Sequence, residues 1–222
     1  MANNFVAKQF LDSSTGEAHR IYTYKLKPCR RVVLSSRLCT HLSGYTLIEK
    51  DLRSVLFWLE EIEKRHVNPK TEKRKTFRAS TDRENYNLIK GLFVAAITFY
   101  GKCFSKCEGR PVKLERAQLD PKFHELHDEC ISYRHNFAAH SGSTKIERVD
   151  VALVSLIKFG GSVTFQIYKE LHQPDLMWPQ NPTLIHLVEH VRLIADHKAK
   201  LLEERIRTEE VVAKAAALWE QK

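Results

Sequence analysis

The sequence lacks the features that mark membrane-spanning and secreted proteins. No apolar run approaches the roughly 18 consecutive residues that a membrane-spanning helix needs. The opening Met1-Ala2-Asn3-Asn4 has neither the basic flank nor the apolar segment of a secretory signal. The 5 cysteines are odd in number, and their spacings match no disulfide framework. These absences predict a cytoplasmic protein that has no membrane partner.

Acidic residues are fewer than basic ones in this chain. The 27 Asp and Glu residues stand against 36 Lys and Arg residues, so the formal net charge is +9 and the pI is near 9.3. Such an excess favours polyanions such as nucleic acid, with salt-dependent binding. It is equally compatible with a basic soluble protein that binds no nucleic acid. At 222 residues and 43% hydrophobic content, the chain can bury a core of its own.

The first 45 residues form an N-terminal segment with weak signals for short strands. Alternating residues from His19 to Leu26 predict one strand, and Thr15-Gly16 predicts a turn before it. Val32-Val33-Leu34 predicts a second strand. No chemistry is assigned to this segment.

Residues 46–222 have the hydrophobic periodicity of a helical domain. Thr46-Leu47-Ile48-Glu49 has the pattern of a capping box and predicts the start of the first helix. The second helix is apolar on most faces between Leu92 and Phe99, which predicts that it is the central one. Asp120-Pro121 is typical of a helix start and predicts that of the third helix. The fold class is therefore mainly α, with about four long helices at residues 46–65, about 81–108, 120–139 and about 182–219.

A β-hairpin interrupts the helical pattern. Residues 149–153 and 163–168 alternate between apolar and polar side chains on either side of Gly160-Gly161. We therefore expect an inserted hairpin at about residues 148–169, on or beside the helical bundle.

A basic stretch covers residues 64–78. It is interpreted either as a solvated linker or as a segment that follows a phosphate backbone. In the second interpretation its basic side chains bind the substrate. These candidates are Lys70, Lys73, Arg74 and Lys75.

Residues 133–142 concentrate the unusual chemistry of the chain. At about 100° per residue, Arg134 and His140 flank Phe137 by about 60° on either side and border one apolar face. A guanidinium there needs an anion or a carboxylate, and an imidazole can transfer protons in phosphodiester cleavage. The pattern by itself is equally compatible with a helix-end salt bridge and a capping histidine.

Two groups of residues have spacings that metal ligands also use. Cys103 and Cys107 lie four apart, and His124, His127 and Cys130 lie at three-residue intervals. Neither group is a complete tetrahedral set, so they are interpreted as core residues and a helix edge. The sequence predicts no metal and no cofactor.

The segment Arg134-His135-Asn136-Phe137-Ala138-Ala139-His140 resembles the signature of the HEPN superfamily (higher eukaryotes and prokaryotes nucleotide-binding). The resemblance covers residues 81–142 well and the last helix loosely. It implies a HEPN-like helical bundle that cleaves RNA without metal, with two subunits forming a composite cleft. Arg134 and His140 would be the catalytic pair and His135 the auxiliary polar residue.

The function predicted from the motif and the resemblance is that of a metal-independent endoribonuclease. Tyr133 and Asn136 would contact the substrate beside the catalytic residues. The implied setting is antiviral abortive infection or a toxin–antitoxin system, with RNA as substrate, a homodimer as the assembly and an antitoxin or defence-system protein as a further partner. The alternatives are a non-catalytic helical module that binds a nucleotide, RNA or a protein, and a scaffold dimerised through its C-terminal helix.

Overall fold

The chain folds into four α-helices and two small antiparallel sheets in the part that the structure describes. This computed structural model describes residues 5–66, 83–135, 148–157, 163–172 and 181–213. The predicted fold class, mainly α with an inserted hairpin, is confirmed at this level. The elements are β1 Phe5–Leu11, β2 Ala18–Tyr24, β3 Lys27–Cys29, α1 Arg37–His66, α2 Arg83–Cys103, α3 His124–Tyr133, β4 Arg148–Ile157, β5 Val163–His172 and α4 Asn181–Arg205. Helix α4 continues as a π-helical segment, Ile206–Val212.

The hydrophobic core lies where α1 packs against α2 and α4. Each buried aliphatic or aromatic side chain there contributes about 1.5–3 kcal/mol relative to an exposed one. The central position belongs to α1, so the prediction that the second helix is central was wrong. Helix α1 has 30 residues, enough to contact both neighbours along its length. Its buried apolar residues are Ile48, Leu52, Val55, Leu59 and Ile62.

The first helix begins at Arg37, nine positions before the predicted start at Thr46. Ser36 caps it, because its Oγ accepts a hydrogen bond from the backbone N–H of Cys39 at 3.1 Å. The Thr46 hydroxyl instead donates to the carbonyl oxygen of Leu42 within the helix, at 2.9 Å. The capping-box prediction at Thr46 was therefore wrong, since a hydroxyl inside a helix can bond the preceding turn.

The start of the third helix agrees with its prediction. The Asp120 carboxylate accepts a hydrogen bond from the Lys122 backbone N–H at 3.0 Å, and Pro121 occupies the first position. The first turn is a 3-10 turn, Pro121–Phe123, and α3 follows from His124. Helix α2 ends at Cys103, earlier than predicted.

The N-terminal sheet has the order β1-β2-β3. Strand β2 confirms the predicted strand, and Gly16 has the positive φ of +70° expected of a turn residue. The strand predicted at Val32–Leu34 was wrong, because these residues have no regular structure. The third strand is β3 instead, since Lys25 and Leu26 turn the chain back directly after β2 with φ of +47° and +66°.

The predicted hairpin is formed by β4 and β5, which pair in an antiparallel register with Leu153 opposite Ile167. Its predicted turn, Gly160-Gly161, lies outside the described residues. No helix in the described ranges has the length and apolar character needed to cross a membrane.

Candidate functional site

Arg134 lies at the carboxyl end of α3 and reaches across to the end of α2. Its backbone keeps helical angles, and its side chain is half-buried. The guanidinium Nη1 donates a hydrogen bond to the hydroxyl oxygen of Ser105 at 2.8 Å. Ser105 in turn donates to the carbonyl oxygen of Gly101 at 2.9 Å, which satisfies one of the free carbonyls at the end of α2. Arg134 is therefore held by a two-step hydrogen-bond chain.

Gly101 gives Arg134 the space for this position. A Cβ placed on Gly101 would overlap the Cδ of Arg134 and lie 3.1 Å from its Nε. The aliphatic part of the arginine therefore lies directly on the backbone of α2. Gly101 and Ser105 were not among the residues predicted for the site. The available signal was a glycine inside an otherwise helical apolar pattern, which often marks a close approach.

The guanidinium of Arg134 has unused hydrogen-bonding capacity. Among the described residues no carboxylate lies within ion-pair distance of it, whereas Arg116 forms two 2.8 Å hydrogen bonds to Asp128. An arginine has five N–H donors in a planar fork that suits phosphate oxygens. Ser105 takes one donor of Arg134, and within the described part of the chain the other donors are available to an anion.

Further cations surround the end of α2. Arg110 is buried and donates from Nη2 to the carbonyl oxygen of Lys102. Asp51 is only 1% exposed and forms three ion pairs. Its Oδ1 lies 2.8 Å from Lys50 Nζ. Its Oδ2 lies 3.3 Å from Lys102 Nζ and 3.5 Å from Arg110 Nη1. Three cations therefore share one carboxylate. Positive charge at a helix carboxyl end also agrees with the negative end of the helix dipole.

The neighbours of Arg134 along the chain differ in their surroundings. Tyr133 is half-buried, and its ring packs edge-on against Phe93 at 6.0 Å between centroids. Burial, followed by the nearby charge of Glu129, raises the pKa of the Tyr133 hydroxyl. His135 is exposed. Of the site residues predicted from the sequence, the structure therefore describes Tyr133, Arg134 and His135.

The other predicted site residues lie outside the described residues. They include the second catalytic residue of the motif and the candidate substrate-binding side chains of the basic stretch. These residues are His140, Asn136, Lys70, Lys73, Arg74 and Lys75.

The histidines of α3 are engaged in hydrogen bonds within the protein. Nε2 of His124 donates to the Leu119 carbonyl oxygen at 3.2 Å, and its Nδ1 accepts from Arg116 at 3.0 Å. Nδ1 of His127 lies 2.8 Å from the buried hydroxyl of Tyr100. Burial lowers the pKa of His127, because the charged imidazolium is poorly solvated there. The described residues contain no group of three or more His, Cys, Asp and Glu side chains able to hold a metal ion.

The cysteines at metal-like spacing are separate thiols. Cys103 is fully buried and donates to the carbonyl oxygen of Phe99 at 3.2 Å. Burial raises the pKa of Cys103 to about 12, and that of Cys130 also to about 12. Both are therefore neutral thiols at physiological pH.

A second cationic feature lies on the N-terminal sheet. A cavity of about 280 Å³ is lined by Ala18, His19, Arg20, Tyr22 and Arg31. Its lining contains two arginines and no carboxylate, and Arg20 Nε also donates to the Gln9 side chain at 3.2 Å. No chemistry was predicted for this segment. The signal was weak, because the turn at Lys25-Leu26 and strand β3 separate Arg20 from Arg31 along the chain.

Comparison of the chain with models of known protein families, with curated proteins and with solved structures finds no match. The function must therefore be inferred from the residues themselves.

Proposed function

We propose that the chain is a HEPN-type, metal-independent endoribonuclease that acts in the cytoplasm. The observation that carries the proposal is the guanidinium of Arg134. It is half-buried, fixed by Ser105 over Gly101, and without a carboxylate partner among the described residues. A partly desolvated guanidinium with free N–H groups is suited to bind a phosphate group.

The proposed chemistry is an internal transesterification of RNA. The 2′-oxygen attacks the phosphorus while the bond to the 5′-oxygen breaks, so that the products are a 2′,3′-cyclic phosphate and a 5′-hydroxyl. Arg134 stabilises the charge that accumulates on the non-bridging oxygens. His140 takes the proton from the 2′-hydroxyl or gives one to the leaving 5′-oxygen. His135 is the auxiliary polar residue of the motif, and Asn136 and Tyr133 flank the substrate.

The positive charge of the chain supports RNA as the proposed substrate. The net charge of +9 favours a polyanionic substrate. The basic residues Lys70, Lys73, Arg74 and Lys75 would hold RNA beside the cleft. We propose a homodimer that forms a composite site, in an antiviral or toxin–antitoxin setting in which a partner protein controls cleavage.

The test is cleavage of total RNA and tRNA by the purified protein in EDTA. We expect fragments with 2′,3′-cyclic phosphate ends, and we expect the Arg134→Ala, His140→Ala double variant to be inactive. Arg53→Ala is the matched control, because Arg53 is an exposed arginine of α1 that pairs with Glu49 at 2.9 Å. Retained cleavage by the double variant would refute the proposed site.

The bond between Arg134 and Ser105 also favours a second candidate function. An arginine that secures the end of α2 has a structural role, and the chain is then a non-catalytic module that binds a nucleotide, RNA or a protein. This candidate predicts stabilisation of the protein by its ligand, without RNA cleavage even at high protein concentration. It also predicts equal affinity for single-stranded RNA and DNA, since no 2′-hydroxyl takes part.

A further inference from the structure

One face of the β4–β5 hairpin is apolar and exposed. In the register of the hairpin, Val149, Val151, Leu153 and Ser155 share a face with Phe165, Ile167 and Lys169 of the opposite strand. Five of these seven residues are large apolar ones, and each has more than half of its surface exposed, with Val151 at 72% and Leu153 at 66%. The opposite face is mixed, with Asp150, Gln166 and Glu170 beside the half-exposed Val154 and Tyr168.

The described helices do not cover this apolar face. Within the described residues the two strands contact each other extensively, and no helix packs on either of them beyond marginal contact. None of the hairpin's described residues belongs to the hydrophobic core or to the side chains packed against it. A two-stranded hairpin is marginally stable in water and gains stability when a hydrophobic face is covered. This face therefore needs an additional surface.

We infer that the apolar face of β4 and β5 is a homodimer interface, covered by the same face of a second copy. At roughly 100 Å² of apolar surface for each exposed side chain, the face offers on the order of 500 Å² per copy. Two copies then bury on the order of 1,000 Å², which is about the minimum for a biological interface and the size of a weak one. A smaller ligand would leave much of the face exposed.

The residue pattern of the face complements itself under twofold symmetry. The proposed twofold axis runs in the plane between the two stacked hairpins and crosses the strands at right angles, at the level of Leu153 and Ile167. Each strand then lies over its own copy in the opposite direction. Leu153 therefore contacts the second Leu153, and Ile167 contacts the second Ile167. Lys169 then lies over Phe165 of the second copy rather than over the other lysine, a cation–π arrangement. The single charge on the face is thus accommodated without like-charge repulsion, which favours a second copy as the occupant.

The inference locates the interface of the homodimer proposed above and does not depend on RNA cleavage, and its test measures the mass of the full-length protein in solution. We expect a dimer by light scattering, and at least a tenfold weaker dimer for Leu153→Glu and Ile167→Glu. Val154→Glu is the matched control, because Val154 is 51% exposed on the opposite face of the same strand. It should remain dimeric. Circular dichroism checks that each variant is folded.

A second measurement does not depend on a disruptive substitution. A short bis-maleimide should cross-link Leu153→Cys into dimers above the background of wild-type protein, whose own cysteines are present in both samples. It should not do so for Val154→Cys. A monomeric wild-type protein, equal weakening by Val154→Glu, or equal cross-linking of the two cysteine variants would each overturn the inference. Loss of RNA cleavage with an intact dimer would instead contradict only the proposed function.

Discussion

At the scale of single residues, the position of the Arg134 side chain depends on small residues at the end of α2. Gly101 has no side chain, and this absence opens the surface on which the arginine lies. Ser105 is small and supplies a hydroxyl acceptor at 2.8 Å. The motif was recognisable from the order of residues in one short segment, whereas Arg134 is held by Gly101 of α2 and by Ser105 just after that helix. The order of residues in the chain does not reveal that Arg134 packs against Gly101 and bonds to Ser105.

Gly101→Ala should therefore destabilise the fold, because the new methyl group overlaps Arg134 and must displace it. Gly91→Ala in the same helix should stabilise by about 0.5–1 kcal/mol, since a Cβ there meets no atom within 4 Å. The free energies of unfolding from urea titrations distinguish the two variants. An equal gain in stability for both would show that Arg134 does not occupy the surface of Gly101.

At the scale of elements, α2 is tied to α1 and α3 by buried polar contacts as well as by apolar packing. Asp51 of α1 meets Lys102 of α2 and Arg110 beyond its end. His127 of α3 meets Tyr100 of α2 at 2.8 Å, with Phe104 4.4 Å from the imidazole between ring centroids. Buried polar groups of this kind need partners, because leaving one unpaired costs about 1–3 kcal/mol.

The contact between α2 and α3 should make stability depend on pH. Burial lowers the pKa of His127 below its ordinary 6.5, so the folded protein holds the imidazole neutral while the unfolded chain binds a proton. The stabilisation from the neutral imidazole of His127 is fully present when the pH is above the pKa that this histidine has in the unfolded chain. It is lost as the pH falls below about 6.5 toward the lower pKa of His127 in the folded protein.

Urea unfolding between pH 5 and 7.5 measures this effect. One proton sets a limit of about 1.4 kcal/mol per pH unit on the contribution of His127. His127→Gln should reduce the slope of unfolding free energy against pH, and His186→Gln, which removes an exposed histidine of α4, should not. The same slope in wild type and His127→Gln would contradict the assignment.

At the scale of the whole molecule, positive charge occurs on separate parts of the chain. The end of α2 combines Lys102, Arg110 and Arg134, and the N-terminal sheet has a cavity lined by Arg20 and Arg31. Among the described residues, the two arginines lining the cavity have no carboxylate beside them in its lining, and Lys102 and Arg110 share the single carboxylate of Asp51. Under the proposed function, RNA bound at Arg134 would make further phosphate contacts at this cavity.

Arg20→Ala with Arg31→Ala should weaken binding of single-stranded RNA and reduce its salt dependence. Each lost phosphate contact lowers the slope of log K against log salt by about 0.7, so the double variant should lower it by about 1.4. Lys200→Ala is the control, because Lys200 is an exposed residue that pairs with Asp196 at 2.7 Å. Fluorescence anisotropy at several salt concentrations measures the slopes. Unchanged slopes would exclude the cavity from RNA binding.

Local patterns were enough to predict the helices, strand β2 and the hairpin. Periods of 3.6 and 2 residues follow from backbone geometry, so they are visible wherever apolar residues are confined to one face of a helix or strand. The beginning of α1 was misplaced because Thr46-Leu47-Ile48-Glu49 has the residues of a capping box inside a longer helix. Ser36, the real cap, is followed by no acidic residue at the third helical position to mark it.

The helical class, the hairpin and the arginine–histidine motif could be predicted from local sequence, since each depends on residues close together in the chain. That α1 is central, that Gly101 and Ser105 hold Arg134, and that no described helix covers the apolar face of the hairpin became visible in the folded chain. The reason is physical. Which helices pack together depends on the combined burial of several elements, and contacts such as Ser105 with Arg134 join positions 29 residues apart.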